Sequence, residues 1–309
     1  MTIQREAGIA AVGYRRPQKL RALLESIYAQ KPDARVSVFL NAPNGPEDEP
    51  LCEEVYKVAQ TFAARYKLEI VRRQTHLPLD DNITGAVSQV LNEFSRIMLF
   101  EDDAHPKPGC LDFLLDSLST FAKREDIFSI GTFCRPFNVS GVPPVFLSRR
   151  FNGWAWATWR DRWEKICSQV MNKQHPWPHP YQIPDIAGQD IIDYFRHNQL
   201  QGAPVAWDMM VAAWCMKLKW YQIQPKHSAI VNVGFDGSGT HCLADAKQAA
   251  YFEAHFSPDD YQHLDPTIQP ERRLILAMRR NYDEGRKVSL FRRLKRRYKN
   301  RLRVALSRV

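Results

Sequence analysis

Three adjacent acidic residues, Glu101, Asp102 and Asp103, follow directly on the apolar run Arg96–Phe100 and are the strongest chemical feature of the sequence. Adjacent carboxylates repel one another, and the apolar run predicts that they lie at the end of a strand. Mg²⁺ and Mn²⁺ prefer oxygen ligands, and Mg²⁺ is typically held by one or two carboxylates together with substrate phosphates. The triplet therefore indicates a divalent metal site, with a solvated acidic turn before Pro106 as the alternative.

The elements that would position this triplet alternate between strands and helices. Apolar runs predict strands at Gly8–Gly13, Val36–Leu40, Leu68–Val71, Arg96–Phe100 and Ile127–Phe133. Apolar residues at helical spacing lie in the segments between them. Repeated βα units imply a mostly parallel sheet with helices on both faces, and ligands bind beyond the carboxyl ends of such strands. Arg15, Arg16, Asn41 and the acidic triplet are therefore expected to share one crevice.

Several common enzyme signatures are absent from the 309 residues. There is no GxGxxG after the first strand and no GxxxxGK[ST], which removes the main support for a dinucleotide-binding dehydrogenase or a P-loop nucleotidase; HExxH and GxSxG are also missing. The six cysteines form no CxxC pair, so we expect reduced and mostly buried thiols. His105 follows the triplet and could be a ligand, although a surface histidine in a proline-flanked turn is favoured.

The composition changes after about residue 134. All eight tryptophans lie in this second part, and the segment His175–Pro180 is predicted to be a surface loop because its prolines exclude helix and central strand. From Arg286 to Val309 there are 11 Lys and Arg residues and no Asp or Glu. The net charge of +9 therefore belongs to this tail, and the rest of the chain is slightly acidic.

The basic tail has the pattern of an amphipathic helix. Its main apolar residues recur at every fourth position, opposite a basic face: Leu290, Leu294, Tyr298, Leu302 and Leu306. Such a helix lies in the headgroup region of an anionic membrane, with a solvated or disordered tail as the alternative. No apolar run approaches the ~20 residues that span a bilayer, and the first residues are a poor secretory signal. We therefore expect a cytoplasmic protein that is peripheral on the inner face of the membrane.

Two segments of the first half resemble glycosyltransferases of the GT-A fold. The opening VGYRRPQKLRALLESI is similar to their first strand and helix, where a Tyr-Asn-Arg-Pro type of sequence is usual and Arg15 here takes the Asn position. MLFEDDAHPKPGCLDFLL is similar to their DXD segment. Its Glu-Asp-Asp form resembles that of N-acetylglucosaminyltransferase I.

The likeness continues in order along the chain, over about residues 7–245. NITGAVSQVLNEF is similar to the helix that precedes the acidic strand in that family, and NGWAWATWRDRWEK to its Gly-Trp segment on the acceptor side. APVAWDMMVAAW is similar to the Trp-Asp segment that carries the catalytic base, and VNVGFDGSGTHC to the closing loop with Gly and His. Many bacterial surface-polysaccharide transferases resemble this series too.

The resemblance implies an α/β fold of the GT-A, Rossmann-like type, with a mostly parallel sheet flanked by helices. One GT-A domain is expected over residues 1–245, with a nucleotide-sugar half (1–134) and an acceptor half (135–245). Residues 246–309 are expected to form a helical extension that ends in the basic amphipathic tail.

The resemblance also implies roles for single residues. Asp103 would bind the divalent metal, Mn²⁺ or Mg²⁺, Asp208 would be the general base, and Trp154 and Trp156 would contact the acceptor. Seven residues would bind the nucleotide sugar: Arg15, Arg16, Asn41, Asn82, Glu101, Asp102 and His241. In this set Asp102 would face the ribose and Asn41 the base, and Arg15 is the alternative to Arg16. For Asp208 a helix N-cap is the alternative, because Asp before a helical run is a good cap.

These expectations describe an enzyme that transfers a sugar from a nucleotide-diphosphate sugar to a hydroxyl of a glycan or lipid-linked acceptor, with inversion, in surface polysaccharide or lipopolysaccharide synthesis. Two other classes are open. A nucleotide-sugar pyrophosphorylase or related nucleotidyltransferase also uses acidic strand ends and Mg²⁺, but GYRRPQ lacks the glycines of its phosphate loop. A nucleic-acid-binding protein acting through the tail is disfavoured, because the rest of the chain is slightly acidic and has no recognised motif. We therefore expect no nucleic-acid partner.

Overall fold

The structure is a computed structural model that describes residues 7–171, 188–202, 205–236 and 255–283. Its strands are β1 (Ala7–Gly13), β2 (Arg35–Leu40), β3 (Leu68–Arg72), β4 (Arg96–Glu101), β5 (Ala104–Pro106), β6 (Ile127–Gly131), β7 (Val145–Ser148), β8 (Trp156–Trp159), β9 (Tyr221–Pro225) and β10 (Ile230–Asn232). Eight of them form one sheet in the order β3-β2-β1-β4-β8-β6-β9-β7, and β5 pairs with β10 in a small second sheet.

The α-helices lie in the connections between these strands. They are α1 (Pro17–Tyr28), α2 (Glu49–Ala63), α3 (Leu79–Glu93), α4 (Cys110–Thr120), α5 (Arg160–Met171), α6 (Gln189–Gln201), α7 (Trp207–Lys217) and α8 (Arg272–Asp283). Helix α1 illustrates why these helices form. Pro17 lies at its first position, where a backbone N–H would have no partner within the helix, so the missing N–H of proline costs nothing. The buried leucines of α1 recur at helical spacing. All of its apolar stripe faces the sheet.

The first half of the sheet is parallel. Strand β1 pairs in parallel with β2 and β4, and β2 pairs in parallel with β3. All seven residues of β1 are buried, as expected for a strand covered by helices on both faces. The predicted fold class, an α/β fold with a mostly parallel sheet flanked by helices, is confirmed. The predicted fifth strand ends at Gly131 rather than at Phe133.

The sheet is completed by strands from the second half of the chain. Strand β8 lies between β4 and β6 and is antiparallel to both. Strand β9 is parallel to β6, and β7 closes the edge antiparallel to β9. The buried hydroxyl of Thr158 in β8 donates a hydrogen bond of 2.5 Å to the Phe128 carbonyl. The predicted nucleotide-sugar and acceptor halves therefore share one sheet.

Apolar side chains fill both faces of this sheet. On one face, Leu20 of α1, Val55 of α2 and Leu114 of α4 pack into one cluster. On the other, Ile83 of α3 and Trp163 of α5 belong to a second cluster that also includes residues of α6 and α7. Since each face is covered, the carboxyl ends of the strands are the part of the sheet left open to a ligand.

The described part of the predicted helical extension, residues 255–283, packs on the domain. Tyr261 lies 4.8 Å from Phe113 of α4 between ring centroids. Leu274 and Met278 of α8 share a small buried cluster with Phe146 of β7. Within the described segments no helix is long and apolar enough to cross a membrane. The basic tail (286–309) lies outside the described residues.

Replacing Gly109 by Ala is expected to lower the free energy of unfolding more than the same change at Gly202. Both glycines have positive φ, +80° and +62°, so a Cβ costs about 1–2 kcal/mol of backbone strain at each. At Gly109 the Cβ would also lie 2.3 Å from Cγ of Pro258, which adds about 1–3 kcal/mol of overpacking. At Gly202 no described atom lies within 4 Å. Denaturant unfolding of the two variants measures the difference. Equal losses of unfolding free energy would show that the 255–283 segment does not pack tightly against the start of α4.

Candidate functional site

The carboxyl ends of β1 and β4 face a cavity of about 340 Å³ between the two halves of the chain. Five of the residues predicted from sequence line it: Arg16, Glu101, Asp103, Trp154 and Asp208. The first three come from the loop after β1 and from the end of β4, and the last two come from the loop before β8 and from α7. The fold therefore brings together side chains that are up to 192 positions apart, between Arg16 and Asp208.

The acidic triplet is held by Arg16. Asp102 is buried, with 2% of its surface exposed, and both of its carboxylate oxygens accept hydrogen bonds from the Arg16 guanidinium. The same guanidinium donates a bond of 2.8 Å from Nη1 to Asp103 Oδ2. Because a planar guanidinium matches two oxygens of a carboxylate, this pairing fixes the orientation of the triplet. Asp103 keeps part of its side chain exposed toward the cavity.

Glu101 lies in a strongly negative environment. Burial, followed by the charges of Asp103, Asp102 and Asp208, raises the pKa of Glu101 well above its usual value. Arg16 lowers the same pKa by a smaller amount. The direction of the shift shows that an added positive charge would be favourable at this point of the cavity.

The small second sheet places further residues beside the triplet. Strands β5 and β10 pair antiparallel, and the Val233 amide donates a bond of 2.8 Å to the Asp103 carbonyl. Lys19 Nζ donates to the Val233 carbonyl at 3.1 Å and to Asp236 at 3.0 Å. A Cβ at Gly234 would lie 2.7 Å from Asp103 Oδ2. The glycine therefore leaves room for the Asp103 carboxylate.

Two residues near the triplet were not predicted from the sequence, Lys19 and Asn232. Of these, Asn232 lines the cavity. Lys19 lies in the first turn of α1, directly after the N-cap Arg16, and this closeness in sequence was a usable signal. Asn232 had none, because its place depends on the pairing of β10 with β5.

Arg15 points to a different partner than Arg16. Its Nη1 donates to Asp48, which is buried and also accepts the hydroxyl of Tyr14. The hydrogen bond from Tyr14, and then that from Arg15, lowers the pKa of Asp48. The Tyr14 ring lies 5.1 Å from that of His76. The geometry thus separates the two arginines: Arg16 contacts the triplet, and Arg15 braces the loop after β2.

The two predicted asparagines are engaged inside the protein. Asn41 holds Leu77, donating to its carbonyl at 2.8 Å and accepting from its amide at 3.0 Å. Asn82 is 2% exposed and accepts a bond of 3.0 Å from Arg73 Nε. Neither lines the cavity described above. Both shape the loops at the ends of β2 and β3.

The two predicted acceptor tryptophans lie on opposite sides of the backbone. Trp154 is partly buried, lines the cavity and packs 4.6 Å from the ring of Phe133. Trp156 has no exposed surface and packs between Phe151 and Trp207. A ring without exposed surface cannot stack on a sugar, so the prediction for Trp156 was wrong, and it is a core residue.

Ala155 accounts for this separation. Its φ is +46°, a left-handed value that is rare for residues other than glycine. The buried hydroxyl of Thr132 lies 2.9 Å from the Trp154 carbonyl and 2.6 Å from the Ala155 carbonyl, and it can hold this turn. The reversal sends one tryptophan into the cavity and the next into the core.

Asp208 lies in the first turn of α7, whose N-cap is Ala206. The N-cap alternative is therefore wrong, although Asp208 Oδ1 accepts a bond of 2.8 Å from the Met209 amide. The Tyr194 hydroxyl of α6 accepts a bond of 3.0 Å from the Ala206 amide and so holds the start of α7. A Cβ at Gly153 would lie 3.3 Å from Cβ of Asp208, so this glycine permits the close approach of the loop before β8 to the start of α7.

His241 lies outside the described residues. Within the described residues, no group of three or more His, Cys, Asp or Glu side chains could by itself hold a metal ion. His105 lies in β5, and its Nε2 is 2.9 Å from the Asp102 carbonyl. Burial lowers the pKa of His105.

The five cysteines of the described segments are free thiols, four of them buried.

Solved structures that are similar to this chain include glycosyltransferases, whereas no protein-family model and no curated protein matches the sequence. The mannosyltransferase PcManGT from Pyrobaculum calidifontis, solved with GDP-Man and Mn²⁺, is 17% identical, with a TM-score of 0.40 over 52% of this chain and 46% of that one. TarS (residues 1–349) of S. aureus is 10% identical, with a TM-score of 0.45 over 75% of this chain and 61% of that one.

A third similar structure is a protein of Desulfovibrio desulfuricans G20 described as a nucleotide-diphospho-sugar transferase. It is 10% identical, with a TM-score of 0.36 over 80% of this chain and 93% of that one. At these identities and TM-scores the function has to be judged from the residues of the site.

Proposed function

We propose that this chain is a glycosyltransferase that moves a sugar from a nucleotide-diphosphate sugar to a hydroxyl of a glycan or lipid-linked acceptor, with inversion. One observation carries the proposal. Arg16, Glu101 and Asp103 line the same cavity as Asp208, with Trp154 beside them. A cation site for the donor phosphates and a carboxylate base in one cavity are the parts that this transfer needs.

On the donor side, Asp103 is the residue that would hold a divalent cation, Mg²⁺ or Mn²⁺. Its carboxylate lines the cavity, and the local excess of negative charge that raises the pKa of Glu101 suits a hard cation. One or two carboxylates suffice when substrate phosphates complete the shell, which fits the absence of a larger cluster among the described residues. When bound, such an ion offsets the charge of the departing diphosphate without a proton donor. Arg16 holds Asp102 and Asp103 in place for this task.

On the acceptor side, Asp208 is proposed to accept the proton of the attacking hydroxyl. A hydroxyl is a weak nucleophile, and a carboxylate within hydrogen-bond reach assists its attack. The charge of Asp208 contributes to the raised pKa of Glu101, which supports a short distance between the base and the donor site. One base and in-line attack on the anomeric carbon invert its configuration. The described residues thus supply the parts of a single displacement.

A panel of sugar nucleotides tests the proposal. Purified protein with Mn²⁺ or Mg²⁺ is expected to release nucleoside diphosphate slowly from one or a few members of the panel and from none after treatment with a chelator. The same protein is incubated in parallel with nucleoside triphosphates and sugar phosphates. Pyrophosphate release in this second assay, without hydrolysis in the first, would favour a nucleotidyltransferase instead. Donor binding can be followed independently by calorimetry.

We further propose that the basic tail places the enzyme on an anionic membrane, which suits lipid-linked acceptors of surface polysaccharide or lipopolysaccharide synthesis. Each Lys or Arg near an anionic leaflet contributes about 1 kcal/mol before screening. The full-length chain is therefore expected to sediment with vesicles that contain phosphatidylglycerol, and a chain ending at Gly285 is not. Vesicles of phosphatidylcholine alone and high salt are the controls. Equal sedimentation of the two chains would remove the tail from the proposal.

A further inference from the structure

Strand β9 carries two glutamines in the interior of the sheet, where apolar side chains are usual. Gln222 is 2% exposed and Gln224 is 1% exposed. They lie on the same face of the strand, because side chains two positions apart share a face. A buried amide costs free energy unless its hydrogen bonds are made. Neither glutamine lines the cavity, so any effect on the site has to pass through the groups that they contact.

The side-chain amide of Gln222 binds the loop of residues 152–154, here called the cavity loop. Its Oε1 accepts a bond of 2.9 Å from the Asn152 amide, and its Nε2 donates to the Asn152 carbonyl at 3.1 Å. Nε2 also donates to Ser129 Oγ at 3.1 Å, which ties the group to β6. One buried side chain therefore satisfies both backbone groups of Asn152, as a neighbouring strand would.

The cavity loop carries this contact to the site. Gly153 and Trp154 both line the cavity, and Asn152 Oδ1 accepts a bond of 3.0 Å from the Trp154 amide. A Cβ at Gly153 would lie 3.1 Å from the ring of Trp207 and 3.3 Å from Cβ of Asp208. The loop thus packs directly on the start of α7. A displacement of Asn152 would therefore move Trp154 and the surface against which Asp208 packs.

Gly131, at the end of β6, leaves the space that the Gln222 amide occupies. A Cβ at this position would lie 2.8 Å from Gln222 Oε1 and 2.9 Å from Cδ. By contrast, the Gln224 amide donates only to Gln222 Oε1, at 3.3 Å, within the described structure. Its own Oε1 is buried without a partner among the described residues. The two glutamines are alike in burial and differ in their contact with the cavity loop.

We propose that Gln222 is a positioning residue for the transfer reaction, which holds the cavity loop so that Trp154 and Asp208 keep their places at the cavity. The proposal rests on the proposed function for the roles of Trp154 and Asp208. The placement of the loop itself is a property of the protein that can be measured without turnover. Gln224 has no such role.

Fluorine NMR of protein labelled with fluorotryptophan measures the placement of the loop. The resonance of Trp154 is identified by its absence from the Trp154→Phe variant. In Gln222→Met, which keeps the length of the side chain and removes the amide, this resonance is expected to shift or to broaden through exchange on the μs–ms timescale. Gln224→Met is the matched control, since it makes the same replacement on the same face of β9, and it should leave the resonance unchanged.

Hydrolysis of the sugar nucleotide supplies a second measurement. In Gln222→Met, kcat per folded molecule is expected to fall at least about tenfold, because a small displacement of a reacting group costs this much or more. KM for the donor should stay within about twofold of the wild-type value. The reason is that no hydrogen bond of Gln222 reaches the acidic triplet in the described part of the chain. A purely structural role would reduce the folded fraction and leave kcat per folded molecule unchanged.

Gly131→Ala tests the same contact without removing any polar group, because the added Cβ pushes against the end of the Gln222 side chain. It should reproduce both the change in the Trp154 resonance and the loss of kcat, and it decides the question if Gln222→Met does not fold. An unchanged Trp154 resonance, an equal change in Gln224→Met, or a changed resonance with an unchanged kcat overturns the proposal. If the wild type hydrolyses no sugar nucleotide, a resonance change confined to Gln222→Met and Gly131→Ala contradicts the proposed function alone.

Discussion

Replacing Asp208 by Asn is expected to lower the rate of sugar transfer by about 100-fold or more while leaving donor affinity unchanged. Asn keeps the size of the side chain and can still accept a hydrogen bond from the Met209 amide, which Asp208 accepts at 2.8 Å. It cannot take the proton of an attacking hydroxyl. Steady-state transfer and calorimetric donor titration, made on the same protein, separate the two effects.

The control for this prediction is a carboxylate with the same relation to a helix but away from the cavity. Asp112 is exposed and lies in the first turn of α4, so Asp112→Asn removes the same favourable interaction with a helix N-terminus. That variant should transfer sugar at the wild-type rate. If Asp208→Asn instead loses thermal stability and keeps its rate per folded molecule, Asp208 supports only the start of α7.

Replacing Asp103 by Ala is expected to abolish metal-dependent turnover, a loss of at least about 10³-fold, with the fold intact. The size follows from the several kcal/mol that a bound cation contributes to a charged transition state, at about 1.4 kcal/mol for each tenfold change in rate. The fold should persist because Arg16 keeps both oxygens of Asp102 as partners. Turnover over a range of Mn²⁺ and Mg²⁺ concentrations, together with circular dichroism, checks both parts.

A chelator provides the control for the Asp103 prediction. Wild-type protein treated with excess chelator should behave like the Asp103→Ala variant, and added Mn²⁺ should restore the former but not the latter. Full activity of chelator-treated wild-type protein would contradict the metal assignment and leave the triplet as a set of polar contacts to the nucleotide.

Much of the first half of the fold was predictable because its signals are local. Each strand from β1 to β4 is a short apolar run bounded by a turn, and each following helix has a buried stripe at helical spacing. Ligands bind beyond the carboxyl ends of parallel strands, so the residues after β1, β2 and β4 were expected to share one crevice. In the structure β1 pairs with β4, and Arg16 contacts the acidic triplet.

The second half was less predictable because its placement depends on long-range pairing. Strand β8 has only four residues, and nothing in the run Trp156–Trp159 indicates that it pairs between β4 and β6. The two tryptophans illustrate the same difficulty. In a regular strand Trp154 and Trp156 would share a face, and the left-handed turn at Ala155 that separates them has no sequence signal, because alanine rarely adopts it.

The position of β8 also has a consequence for how the chain reaches its native state. Strands β4 and β6 run in the same direction but do not pair with each other, because β8, which comes later in the chain, lies between them. During synthesis β4 therefore has one unpaired edge until Trp156–Trp159 has emerged. Unpaired apolar edges invite association with other chains, and late, long-range closure slows folding. We expect a fragment that ends before β8 to aggregate, and chaperone dependence to fall once β8 is available.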